Sequence, residues 1–238
     1  MAEREGPSIK IFADGADLNS ILDLAADPRI SGFTTNPTLM RKAGVDDYEG
    51  FARKVLDHVT DRPVCFEVFS DDFDAMRDQA HRIASWGDNV CVKIPVTNTH
   101  GVSSTPLVAE LTAEGLHLNV TALLSLAQVD AVAESLAGSP GAIVSVFAGR
   151  IADTGRDPVP LMAEAVAILA AHPSLELLWA SPREVLNVGQ ARSIGCQIIT
   201  LTPELLAKLD GLDRDLEEVS LDTVRMFHRD AAASGYRL

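Results

Sequence analysis

Val90-Cys91-Val92-Lys93-Ile94-Pro95-Val96-Thr97 is an apolar, β-branched run with one ammonium at its centre. A run of this kind reads as a buried strand over Val90–Ile94. An unpaired buried ammonium costs several kcal/mol, so Lys93 is paired, snorkels to water or gives up its proton. In the third case desolvation lowers its pKa, and a neutral amine can attack a carbonyl to form a Schiff base. The bland alternative is a strand-end lysine facing solvent or a carboxylate.

Outward from this strand the chain repeats one unit, a short β-type run followed by an amphipathic stretch. The strand-like runs are Ile9–Ala13, Gly32–Thr35, Val64–Phe69, Val90–Ile94, Leu116–Val120, Ile143–Phe147, Leu175–Ala180 and Gln197–Leu201. Between them lie helical patterns over Asp17–Ala26, Asp47–Val59, Phe73–Trp86, Pro106–Ala113, Leu123–Leu136, Pro158–Ala171 and Pro182–Ile194. Strand–helix repetition means parallel strands joined by crossover helices. Eight such strands predict an α/β fold, a closed (β/α)8 TIM barrel forming a single domain over 1–238. A doubly wound open sheet is the alternative. It would usually carry GxGxxG after its first strand, where this chain has Asp14-Gly15-Ala16-Asp17. After the eighth strand come Pro203–Leu209, an acidic stretch Asp210–Glu218 read as a solvated linker, and an extra C-terminal helix over about 220–233. That helix, apolar at Val219, Leu221, Val224 and Phe227, is expected to pack on the barrel or on a neighbouring subunit of a homo-oligomer.

Composition bounds the partners. The 238 residues carry a net charge of −14, which disfavours nucleic-acid backbones and anionic membranes. No apolar run approaches the ~18 residues needed to span a bilayer, and the start Met1–Pro7 has no apolar signal core. Cys65, Cys91 and Cys196 sit in strand-like runs without CxxC spacing. They predict neither a metal site nor a disulfide, and they fit a reducing cytoplasm. No cofactor is expected. An anionic substrate would need positive charge gathered locally.

In a (β/α)8 barrel the chemistry sits at the C-terminal ends of the strands. Those ends carry Asp14; Thr34-Thr35-Asn36-Pro37; Glu67; Lys93; Asn119 and Thr121; Ser145 and Phe147 with Arg150 just beyond; Ser181 with Arg183 beyond; and Thr200 and Thr202. Each has a plain structural use. Asp14 could cap a helix, Thr35-Asn36-Pro37 could be a turn, and the arginines could lie on the surface. Together they place a lysine, carboxylates, an amide, hydroxyls and two arginines at one mouth. That is the makeup of a carbonyl-chemistry site with an anion clamp.

With these residues in place the chain resembles the transaldolase family, including its small fructose-6-phosphate aldolase-like branch. The resemblance runs from about Ile9 to the last helix. It rests on Phe12-Ala13-Asp14-Gly15-Ala16-Asp17, Thr34-Thr35-Asn36-Pro37-Thr38-Leu39, Val92-Lys93-Ile94-Pro95, Asn119-Val120-Thr121-Ala122, Ser145-Val146-Phe147-Ala148-Gly149-Arg150 and Ala180-Ser181-Pro182-Arg183. It implies that Lys93 is the Schiff-base lysine and that Asp14 acts on the substrate hydroxyl proton during carbon–carbon cleavage. It implies that Glu67 and Thr121 hold a catalytic water, and that Asn36 and Asn119 hold substrate hydroxyls. Ser145, Arg150 and Arg183 match groups near the sugar phosphate, and Thr34, Phe147 and Ser181 belong to the matching segments that line the substrate. The implied partners are sugar phosphates, and the implied setting is carbohydrate metabolism such as the pentose phosphate pathway.

Three features depart from the family pattern. Asp-Thr-Ala reads Asp14-Gly15-Ala16, Asn98–Thr105 is longer and richer in Ser/Thr, and Ala180-Ser181-Pro182-Arg183 is shorter than the aldolase version. The aldolase branch typically has Gln at the Glu67 position and Tyr at the Phe147 position, so the expected reaction is transfer to an aldehyde acceptor. Cleavage that releases free dihydroxyacetone is the runner-up. A barrel that binds sugar phosphates without turnover stands third.

Overall fold

The computed structural model describes residues 8–237, so the Met1–Pro7 reading lies outside the described residues. The first half of the chain runs β1 (Lys10–Asp14), α1 (Leu18–Ala25), β2 (Ile30–Thr34), α2 (Pro37–Lys42), α3 (Tyr48–Leu56), β3 (Val64–Glu67), α4 (Phe73–Ala84) and β4 (Val90–Pro95). It continues with α5 (Thr105–Ala113), β5 (Leu118–Leu123), α6 (Leu126–Ser135), β6 (Ala142–Val146), α7 (Ala148–Ala152), α8 (Pro158–Leu169), β7 (Leu175–Trp179), α9 (Leu186–Ser193), β8 (Ile198–Leu201), α10 (Pro203–Leu206) and α11 (Leu216–Ser234). The eight strands close in sequence order, and the end strands β1 and β8 pair in parallel. The fold is the (β/α)8 barrel expected. Contacts divide the chain into two compact units, one ending at Leu206 and the other beginning at Ala207.

Local chemistry explains the boundaries. Asp17, Asp47, Asp72, Ser125 and Asp157 each cap a helix by accepting a backbone N–H. Pro37, Pro106 and Pro158 stand in the first turn of their helices, where the missing N–H is no loss. Inside the barrel the strands alternate, and one face of each points to the axis. Phe12, Cys65, Cys91, Ile143, Leu178 and Ile198 form one buried cluster there, with Phe147 packed against it. Gly32 makes room for the Phe12 ring, since a Cβ at Gly32 would stand 2.6 Å from the ring tip.

Several boundaries differ from the expectation. Thr35-Asn36-Pro37 is no free turn, because Asn36 accepts from Leu39 N–H at 3.0 Å and starts α2. β5 extends to Leu123, with a register shift between Val120 and Leu123 and Ala122 at φ +65°. Thr121 therefore lies within the strand. Phe147 ends no strand but precedes the short α7. The acidic stretch is not all linker. Asp215 accepts from the N–H groups of Glu217 and Glu218, and α11 starts at Leu216. Carboxylates in a first turn favour the positive end of the helix, which is why this segment winds up.

Candidate active site

On each of β1, β2, β3, β4 and β6 one of the strand-end residues singled out lies two positions beyond a residue of the lower layer inside the barrel. Asp14 follows Phe12, Thr34 follows Gly32, Glu67 follows Cys65, Lys93 follows Cys91 and Ser145 follows Ile143. A period of two keeps them on the same face, so the apolar floor carries a polar layer directly above it. Strand register then sets neighbours side by side, with Asp14 opposite Thr34, Glu67 opposite Lys93, and Lys93 opposite Asn119.

Lys93 is 6% exposed and takes the first of the three fates, pairing. Its Nζ donates to the Thr35 carbonyl at 2.7 Å and lies 2.9 Å from Glu67 Oε2. Burial pushes this ammonium's pKa down, but the Glu67 and Asp14 carboxylates with Cys65 push it up and prevail. The resting amine is protonated, with Glu67 placed to accept its proton. Asp14 has the opposite balance. Burial raises its pKa above the usual carboxylate range, and the opposing pull of Lys93 and of the Thr34 hydroxyl does not cancel that rise. Thr34 Oγ1 donates to Asp14 at 2.8 Å and shares a 2.6 Å hydrogen bond with Thr200 Oγ1 on β8. A carboxylate whose proton affinity is raised, close to a lysine, suits a general base.

On the next strands Ser145 Oγ donates to Asn119 Oδ1 at 2.7 Å, and Asn119 Nδ2 faces Cys65 Sγ at 3.6 Å. Thr121 Oγ1 is buried without a hydrogen-bond partner, an orphan acceptor and donor at the level of Pro95. Asn36 spends its Oδ1 on the cap of α2.

The arginines gather where the β6 and β7 ends meet. Arg183 grips Asp153 with both Nε and Nη2, and its Nη1 donates to Ser181 Oγ at 2.9 Å. The positive field of Arg150 also reaches Asp153. Gly149 allows this approach, because a Cβ there would stand 1.5 Å from the Ser181 carbonyl oxygen. Ser181 itself has φ +59°, a strained conformation for a residue with a side chain. Two guanidiniums against one carboxylate leave net positive charge on a strongly acidic chain.

The transaldolase/fructose-6-phosphate aldolase family model matches residues 11–237. The chain belongs to this family. A "Probable transaldolase" from Nitrosopumilus maritimus is 35% identical over 220 residues, covering 90% of this chain and 92% of its own. Another from Brucella ovis is 33% identical over 232 residues, covering 97% and 100%. A third, from Novosphingobium aromaticivorans, is 36% identical over 203 residues, covering 84% and 88%.

This transaldolase-family barrel gives the departing Asn98–Thr105 segment a shape, and it also has residues the sequence did not single out. The Asn98–Thr105 segment is an ordered hairpin, with Thr97 bridged to Ser103. It is pinned to the β3–α4 loop by Thr99, whose N–H and Oγ1 both donate to Asp71 at 2.7 Å. Asp153 was missed, although its spacing of three from Arg150 puts both on one face of a short helix. Tyr48, on the outer helix α3, was missed because nothing local distinguishes it from a core aromatic. A surface cavity of about 810 Å³ lies elsewhere. It is lined by Pro63, Asn89 and His117, the residues that precede β3, β4 and β5, and so lies at the N-terminal end of the strands. Among the described residues no cluster of three or more His, Cys, Asp or Glu could hold a metal, and no helix is long and apolar enough to cross a membrane.

Proposed function

We propose that this protein is a transaldolase. It transfers a three-carbon dihydroxyacetone unit from a ketose phosphate to an aldose phosphate through a Schiff base at Lys93. The observation that carries the reading is the buried Lys93 ammonium, 2.9 Å from the Glu67 carboxylate, with the field of a second carboxylate, Asp14, reaching it. Lys93 hands a proton to Glu67 and attacks the ketose carbonyl. Loss of water from the carbinolamine gives an iminium, and a water held between Glu67 and the orphan Thr121 hydroxyl shuttles the protons. Asp14 takes the proton of the substrate hydroxyl, the neighbouring carbon–carbon bond breaks, and the electron pair flows to the iminium nitrogen. The resulting enamine adds to the acceptor aldehyde, and hydrolysis releases the product and restores Lys93.

The choice of transfer over simple cleavage rests on Glu67 and Phe147, which occupy positions where the aldolase branch has Gln and Tyr. Phe147 is packed against the apolar floor and brings no hydroxyl to the intermediate. Asn36, through its remaining Nδ2, and Asn119 hold substrate hydroxyls. Arg150, Arg183 and Ser181 hold the phosphate. The test uses fructose 6-phosphate with and without erythrose 4-phosphate. Sedoheptulose 7-phosphate should form only with the acceptor present. Free dihydroxyacetone released equally fast without acceptor would assign the chain to the aldolase reaction.

The anion clamp makes its own prediction. Arg183→Lys keeps the charge but loses the fork that Asp153 and Ser181 orient. The KM for a phosphorylated ketose should rise about 10- to 100-fold, the worth of one or two charge-assisted hydrogen bonds. Turnover at saturation and the rate with unphosphorylated fructose should change little. Equal losses on both ketoses in initial-rate assays would remove Arg183 from the phosphate site.

A further inference from the structure

The β2–β3 ladder stops early, and the place where it stops is the place where Lys93 is held. Thr35 N–H donates to the Cys65 carbonyl at 3.1 Å, and only Phe33–Val64 and Thr34–Cys65 are in register. In a parallel ladder the next two rungs would run from Glu67 N–H to the Thr35 carbonyl and from residue 37 N–H to the Glu67 carbonyl. Residue 37 is proline and has no N–H to give. Both vacant groups of Glu67 go instead to one hydroxyl. Tyr48 Oη accepts from Glu67 N–H at 2.9 Å and donates to the Glu67 carbonyl at 2.9 Å. The Thr35 carbonyl, released from the ladder, accepts from Lys93 Nζ at 2.7 Å.

We infer that Tyr48 is a positioning residue for Lys93: its hydroxyl occupies the main-chain groups of Glu67, so that the Thr35 carbonyl is free to hold the lysine. This deepens the Schiff-base reading of the same site and rests on it for its role in catalysis. Tyr48 reaches in from α3, outside the barrel, and is locked by edge-to-face contacts with Phe66 and Phe69 and a tilted contact with Trp86. Burial drives the phenol's pKa upward, so Tyr48 stays a neutral hydroxyl that can both donate and accept. The charged groups that reach Lys93 are Glu67 and Cys65 from β3 and Asp14 from β1, and none of them belongs to Tyr48's helix.

Tyr48→Phe leaves the ring in its aromatic cluster and removes only the hydroxyl. Glu67 N–H then closes on the Thr35 carbonyl, and Lys93 loses that acceptor. The test follows the rate of reductive methylation at Lys93 against pH, read by peptide mass spectrometry on the folded full chain. The midpoint of that curve should move about half to one pH unit lower in Tyr48→Phe, the equivalent of one hydrogen bond to the ammonium. Trp86→Phe disturbs the same cluster but keeps the hydroxyl, and its midpoint should stay where the parent has it. An unmoved midpoint in Tyr48→Phe, or an equal shift in Trp86→Phe, would overturn the assignment. The readout counts free amine and needs no ketose. It therefore decides the role of Tyr48 even if borohydride trapping with fructose 6-phosphate shows that Lys93 forms no imine, a result that would sink the Schiff-base reading alone.

Discussion

Replacing Lys93 with methionine is expected to abolish the borohydride-trapped adduct with fructose 6-phosphate and to lower turnover on the order of 10⁴-fold or more, as loss of a covalent nucleophile does. Among the described residues the charged groups reaching this point are the carboxylates of Glu67 and Asp14 and the Cys65 thiol, so no second amine there stands in for the lysine. The change should also weaken the fold. The pKa of Lys93 is raised in the native state, so its ammonium contributes stability below the ordinary lysine value of 10.5. That contribution is lost as pH rises through the still higher folded value. Methionine fills the volume but leaves Glu67 and Asp14 without their cation, a cost of about 3 kcal/mol for one partner removed from a buried pair. At pH 5 Asp14, whose proton affinity burial raises, can take up a proton and soften the loss, so the gap in melting temperature between parent and variant should be wider at pH 8 than at pH 5. A variant that retains turnover, or an adduct found on another lysine, would refute the assignment of Lys93.

Asp14→Asn should split catalysis from stability. Asparagine keeps the shape and can still accept from Thr34, but it is no base. Cleavage should fall by about 10² to 10⁴-fold, the range for loss of a positioned general base, while the Lys93 adduct still forms. The melting temperature at pH 7 should rise. Burial raises the native pKa of Asp14 above the ordinary aspartate value of 3.8, so the ionised form is less welcome in the folded chain than in the unfolded one. A raised carboxylate contributes stability at pH values below its unfolded pKa and loses it as pH climbs through the folded value. At pH 7 asparagine therefore removes a penalty, and below about pH 4 the advantage should vanish. For the same reason the acid limb of the parent's cleavage rate should lie above the range of an ordinary aspartate. A variant with parental cleavage, or one destabilised at pH 7, would show that Asp14 is a structural carboxylate.

Much of this site could be read along the chain because it obeys a short period. Phe12 and Asp14, Cys65 and Glu67, Cys91 and Lys93, Ile143 and Ser145 each repeat apolar-then-polar at a spacing of two on one face of a strand. That pattern, with helical stretches between, is local and survives in one dimension. Element ends were less legible. Nothing in Leu118–Leu123 announces that Ala122 adopts a positive φ and carries the strand past Thr121. Nor does an acidic run announce whether it is solvated coil or the first turn of a helix, which Asp215 decided by capping.

The alternation of eight β-type runs with amphipathic stretches was enough to determine a parallel barrel, and strand periodicity was enough to turn Lys93 inward above Cys91. Tertiary structure alone decided what surrounds that amine. Thr35 lies 58 residues from Lys93, Tyr48 lies 19 residues from Glu67, and Asp153 lies 30 residues from Arg183. Such pairs leave no periodic trace, because the closure of the barrel, not the local backbone, brings them within hydrogen-bonding distance. The same closure decided the charge state. Burial by itself argued for a neutral lysine, and two carboxylates delivered by other strands reversed the sign.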